Sequence, residues 1–115
     1  MAEVSGFNIT EGNKARLINL LGEADGSGTV NGVWMELKDY RLALSLMVSG
    51  VVGETLVVCG SNAATKPANS AHGFAIGSTI TADGFYDITT APWWIKVRVS
   101  VAGTGTITAI LAGSK

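Results

Sequence analysis

Residues 93–111 read WWIKVRVSVAGTGTITAIL, and their alternation decides the fold class. Trp93, Ile95, Val97, Val99 and Val101 share one parity; Trp94, Lys96, Arg98, Ser100 and Ala102 share the other. After Gly103-Thr104-Gly105 the pattern resumes, with Ile107, Ala109 and Leu111 set against Thr106, Thr108 and Ile110. Side chains alternate across a strand with a period of two, so each run has one buried and one wet face. Two such runs around a short glycine turn predict a β-hairpin. Its buried row starts at Trp93, and its wet row carries Trp94, Lys96 and Arg98.

The same period extends toward the N-terminus. Leu42, Leu44, Leu46 and Val48 alternate with Arg41, Ala43, Ser45 and Met47. Residues 55–61 are apolar on both parities, which predicts a central strand or one covered by a neighbour. Asp83-Gly84 predicts a second hairpin, because both central residues of a type I′ turn need positive φ. Asp87 then takes a solvent-facing strand position. Residues 62–71 form the longest polar loop, and residues 22–32 a loop rich in Gly, Ser, Asp and Asn. The apolar run at 15–21 reads as a strand, since Gly12 would fall in the first turn of a helix capped by Thr10. Residues 1–14 are small and polar apart from Val4, Phe7 and Ile9, and read as an N-terminal arm whose order depends on what it touches. The expected architecture is all-β: residues 15–115 form a single antiparallel β-sandwich of jelly-roll type with seven or eight strands.

Composition agrees with this reading. A chain of 115 residues with 47% hydrophobic and 15% charged residues is one domain, too apolar for disorder. Fifteen glycines against two prolines suit many short strands joined by glycine turns. A net charge of -1 argues against nucleic acid, which requires a basic footprint. No apolar run reaches the roughly eighteen residues of a membrane span. Cys59 is alone, so no internal disulfide is expected, and Met1-Ala2-Glu3 lacks the basic start of a signal peptide. Synthesis in a reducing cytoplasm is the expectation.

A search for chemistry gives little. His72 and Cys59 are each single, and a zinc site needs three or four ligands. Asp25, Ser27, Thr29, Asn31 and Glu36 trace a calcium-loop spacing, but Val30 stands where the sharp turn needs glycine. Gly26 and Gly28 begin a nucleotide fingerprint whose third glycine is Asn31. Asn8-Ile9-Thr10 is a glycosylation sequon, which has meaning only with secretion. Asp83 is explained by its turn and Asp87 by its strand position better than as a glycosidase pair. Neither a catalytic group nor a cofactor is expected.

The wet row of the last hairpin holds Trp94, Lys96 and Arg98, and Trp34 and Tyr40 have no obvious core role. Aromatics and Arg are concentrated at protein interfaces. These residues, with Phe7 on the arm, are the candidate contact surface. The alternative for Trp94 is a place in the second sheet's core or under a loop.

Several motifs carry a resemblance. They are Asp39-Tyr40, Val48-Ser49-Gly50, Val57-Val58-Cys59-Gly60-Ser61-Asn62, Ile88, Ala91-Pro92-Trp93-Trp94-Ile95-Lys96-Val97 and Gly103-Thr104-Gly105-Thr106-Ile107-Thr108. Over roughly the last two-thirds of the chain, this order resembles small structural proteins of tailed bacteriophages, in particular capsid decoration (cement) proteins. The N-terminal third departs from the pattern, and loop 62–71 is shorter than the corresponding excursion. The resemblance implies a non-enzymatic virion protein, made in the host cytoplasm and bound to the outside of an icosahedral capsid. Its partner would be the major capsid protein, with dimers or trimers of the chain bridging coat subunits. The alternative function is a carbohydrate- or receptor-binding sandwich of a phage tail or fibre, with Trp34, Tyr40 and Trp94 as stacking platforms.

Overall fold

Alternating apolar residues produce strands throughout the computed structural model, which describes residues 6–9, 16–25, 31–37, 40–68 and 70–114, with side chains from residue 31 onward. The strands are β1 (Gly6–Ile9), β2 (Arg16–Asp25), β3 (Met35–Glu36), β4 (Leu42–Ser49), β5 (Thr55–Ser61), β6 (Phe74–Ala75), β7 (Gly84–Ile88), β8 (Trp94–Val101) and β9 (Thr106–Ser114). No helix occurs among the described residues. Nine strands occur among the described residues against the expected seven or eight, and β3 and β6, two residues each, are too short to show a period. Within the segment read as an arm, residues 6–9 pair with β2 at the edge of a sheet; residues 1–5 and 10–14 lie outside the described residues. Residues 22–25, expected in a loop, continue β2, and 26–30 again lie outside the described residues.

Two antiparallel sheets form a β-sandwich. One has the order β1-β2-β9-β4-β7 and the other β3-β8-β5-β6. The core fills the space between them. Leu44, Leu46 and Val48 of β4 and Ile107, Ala109 and Leu111 of β9 face Leu56 and Val58 of β5 and Ile95, Val97 and Val99 of β8. Leu46, Leu56, Ile95, Val97, Ile107 and Ala109 are wholly buried, each of the larger ones stabilising the fold by about 1.5–3 kcal/mol. Leu42 drops out of its expected row and is exposed, because the register slips between Leu42 and Ser45, where Ala43 has a positive φ. That bulge inverts the parity of the strand start.

The expected hairpin at 93–111 does not form. β8 pairs with β3 and β5, whereas β9 pairs with β2 and β4, so residues 102–105 carry the chain from one sheet to the other. Alternation reports a buried row, but not whether the next buried row lies beside it or across the core from it. Asp83-Gly84 is likewise a crossing: Ile80 bridges Leu56 in the second sheet, and β7 pairs with β4 in the first. Residues 50–54 make a third crossing, between β4 and β5.

These crossings meet at one end of the sandwich, held by two carboxylates. The buried Glu54 accepts hydrogen bonds from Val52 N at 2.6 Å and Gly105 N at 2.6 Å. Asp83 Oδ1 accepts from Val51 N at 2.9 Å, and Thr104 N donates to Val52 O at 3.0 Å. Gly105 serves close approach here: a Cβ would stand 2.0 Å from Gly50 O. Gly50 combines a φ of 85° with a Cβ position 1.9 Å from Thr106 O, so no other residue fits.

Candidate functional site

The six residues chosen from the sequence do not share an exposed surface. Trp34, just before β3, is 1% exposed, and Lys96 is fully buried. Tyr40 is buried at 6%. Trp94 and Arg98 are half-buried, and the Phe7 side chain lies outside the described residues. For Trp34, Trp94 and Lys96 the reason is the polar loop after β5, which folds back over the outer face of the second sheet. Three side-chain donors from that sheet meet three of its carbonyls: Trp94 Nε1 to Ala63 O at 3.0 Å, Trp34 Nε1 to Ala68 O at 3.0 Å, and Lys96 Nζ to Ala71 O at 2.6 Å. The Lys96 ammonium also lies 5.0 Å from the centroid of the Trp34 ring, a cation–π contact in a desolvated place. The row expected to be wet is therefore a second, polar-aromatic core under a loop, the alternative left open for Trp94. A loop tied by its carbonyls needs no large apolar residue, and residues 62–71 hold only small ones, so the pattern gives no signal.

Cys59 lies in this layer beside Lys96 and Arg98, and the exposed His72 stands at its rim. Cys59 sits opposite Lys96 on β5, and burial pushes its thiol pKa up despite the opposing cations of Arg98 and Lys96. Its Sγ points to Val57 O, so it behaves as a small buried hydrophobe. His72 lies on the loop with Nδ1 3.4 Å from Lys96 Nζ. Desolvation, then Arg98 and Lys96, holds its pKa below the ordinary histidine value. Among the described residues, no three His, Cys, Asp or Glu side chains come together as metal ligands. Asp25 and Glu36, the ends of the calcium-loop spacing, stand on strands of different sheets.

Among the described residues, the first sheet is exposed on its outer face at β7 and β4 and half-buried at β9. On β7, Tyr86 and Ile88 turn inward, and Phe85 and Asp87 turn outward, with Phe85 76% exposed. Phe85 lies directly opposite Met47 on β4, and Met47 opposite Ile110 on β9, so the three form an apolar row across the outer face. Ser45 stands between Asp87 and Ala112 in the next row, and Ser49 opposite Thr108 on the other side. Asp87 is the only ionisable side chain among these outward positions of β4, β7 and β9. The signal for Phe85 was present in the sequence: Asp87 reads as solvent-facing, and a period of two puts Phe85 on the same face.

The end of the sandwich opposite the crossings displays more rings. Trp93 precedes β8 and is 49% exposed rather than heading the buried row, which starts at Ile95. Leu37 N binds its carbonyl, and the Arg41 guanidinium covers its ring at 4.5 Å from the centroid. Nearby, Phe74 is 84% exposed beside a groove of about 370 Å³ lined also by Ser61, Asn62, Ile76, Thr90 and Pro92. Chemically these surfaces offer apolar contact and hydroxyl or amide hydrogen bonds. No protein-family model, no curated protein and no solved structure matches the chain.

Proposed function

We propose that this chain is a structural binding module of jelly-roll type that docks on the outside of an icosahedral phage capsid and bridges coat subunits. The observation that carries the reading is the contrast between a sandwich closed on one face by its own loop and a second face left open. Phe85, Met47 and Ile110 form an apolar row on that open face, where an outside partner gains contact area without disturbing the core. The jelly-roll assignment is supported by the strand orders β2-β9-β4-β7 and β3-β8-β5-β6, in which consecutive strands repeatedly change sheets. The resemblance of the 40–111 segment to capsid decoration proteins supplies the partner, the major capsid protein. The reading is non-enzymatic and needs no cofactor; the protein is made in the host cytoplasm and ends on the virion surface. Many weak copies on a repeating lattice reach high avidity, and a dimer or trimer adds to it. Binding only the mature shell stabilises it by mass action.

The test is mixing with expanded shells assembled from a tailed-phage major capsid protein. Saturable binding at a fixed ratio per coat subunit, with a raised melting temperature of the shell, is expected. A shell that takes up no protein at saturating concentration sinks the reading. The second reading, a carbohydrate- or receptor-binding module, is favoured by the groove beside Phe74, where an exposed ring meets Ser61, Asn62 and Thr90. It does not rest on Trp34 and Tyr40, which are buried. A glycan array that lights up for the wild type and goes dark for Phe74→Ala would support it.

A further inference from the structure

We infer that the free edge of β7 is a docking edge for an extended, cationic segment of a partner protein, which adds to the first sheet as a further antiparallel strand. This deepens the reading of the chain as a docking module and rests on it.

The edges of the two sheets differ. Those of the second sheet are β3 and β6, two residues each, too short to template another strand. β7 runs five residues, Gly84–Ile88, pairs with β4 on one side, and among the described residues pairs with no strand on the other. An edge strand points every other N–H and C=O outward, and proteins blunt such edges with Pro, Lys or bulges. β7 carries no Pro, Lys or bulge, and its one charge, Asp87, sets the sign a partner strand must have: it reads GFYDI and pairs with β4 in unbroken register from Gly84 to Ile88. Its outward face presents Phe85, continuing the row of Met47 and Ile110, with Asp87 two positions on.

Charge decides the occupant. In antiparallel pairing, opposed residues share a face, so two copies of β7 have three compact registers. Centred on Phe85, Asp87 of each copy meets Asp83 of the other. Centred on Tyr86, Asp87 meets Phe85. Centred on Asp87, the two Asp87 carboxylates meet each other. Every register opposes like charges or sets a carboxylate against an aromatic ring, so the edge discriminates against its own copy. It favours a strand with an apolar residue opposite Phe85 and a Lys or Arg two positions before it, opposite Asp87. Main-chain hydrogen bonds then supply affinity, and the alternate side chains supply selectivity.

The probe is a capped nine-residue peptide with Lys-Thr-Val-Thr-Lys at its centre, titrated into the full chain and followed by amide NMR. The expected result is saturating shifts confined to β7 and neighbouring β4. Replacing both peptide lysines by Glu should weaken binding at least fivefold. Asp87→Lys in the protein should reverse the order, so that the Glu peptide binds more tightly than the Lys peptide. Equal binding of the two peptides, shifts elsewhere on the molecule, or no shift at β7 at millimolar peptide overturns the inference. So does sedimentation of the free chain as a dimer that Asp87→Lys changes. Shell binding with no peptide binding would remove this edge and leave the proposed function standing, and the converse result separates the two the other way.

Discussion

The outer faces of the two sheets both display large apolar or aromatic side chains, and they differ in how far the described chain covers them. The second sheet presents Trp34, Trp94, Lys96 and Arg98, a set that resembles a protein interface, and the chain covers it with its own loop at Ala63, Ala68 and Ala71. The first sheet presents Phe85, Met47 and Ile110 among Ser and Thr, and among the described residues leaves Phe85 and Met47 exposed and Ile110 half-buried. Interface-like composition thus marks any place where a sheet face must be desolvated, whether by another protein or by the same chain. What separates the cases is hydrogen bonding. The covered face carries donors that need acceptors, and a loop of polar backbone provides them. The open face carries small hydroxyls and one carboxylate around its apolar row, groups that water satisfies without a covering loop.

The largest effects should fall on the covered face. Trp34→Ala removes a fully buried ring and the bond to Ala68 O, with an expected loss of about 3–5 kcal/mol in urea denaturation. If the loss is under 1 kcal/mol, the loop does not hold that face. Glu54→Gln, at the crossing end, should cost about 1.5–3 kcal/mol, because one amide oxygen replaces a charged acceptor that serves two backbone donors. Its effect on shell binding should be small once the protein is folded, which distinguishes closure from docking.

Acidification should weaken the covered face slightly, since His72 is exposed and solvent screens its coupling to Lys96. The pKa of His72 is depressed in the folded chain, so below the ordinary histidine value the unfolded chain binds a proton more readily. Stability present near neutral pH is therefore lost as pH falls below about 6.5 toward the depressed folded pKa. Melting temperatures between pH 7.5 and 5 should fall, and His72→Gln should flatten that slope. An unchanged slope would mean that the histidine is uncoupled from the Lys96–loop contact. Smallest of all, Phe85→Ser should alter stability by no more than about 0.5 kcal/mol, since the ring is exposed. A cost as large as that of Trp34→Ala would erase the distinction between the faces.

The sequence made the strands and most buried rows legible because period two is a local signal. Leu44, Leu46 and Val48, and Ile107, Ala109 and Leu111, needed only their own neighbours to be read. Partner choice was not local. The Gly103-Thr104-Gly105 and Asp83-Gly84 turns look like hairpin turns, yet each crosses between sheets, and the glycines at 50 and 105 serve contact between separate crossings. Glu54 gave no signal, since a carboxylate between a glycine and a strand reads as exposed. Among site residues, Lys96 and Trp34 misled because a loop remote in sequence covers them. Phe85 is legible from its parity with Asp87, which puts both on the same solvent-facing side of β7.

The most direct test is paired binding of the wild type and Phe85→Asp to expanded coat shells, with the melting temperature of each free protein measured alongside. Saturable binding of the wild type, at least tenfold weaker binding of Phe85→Asp and unchanged melting temperatures are the expected result. Equal binding of the two proteins would contradict the assignment of the open face as the docking surface.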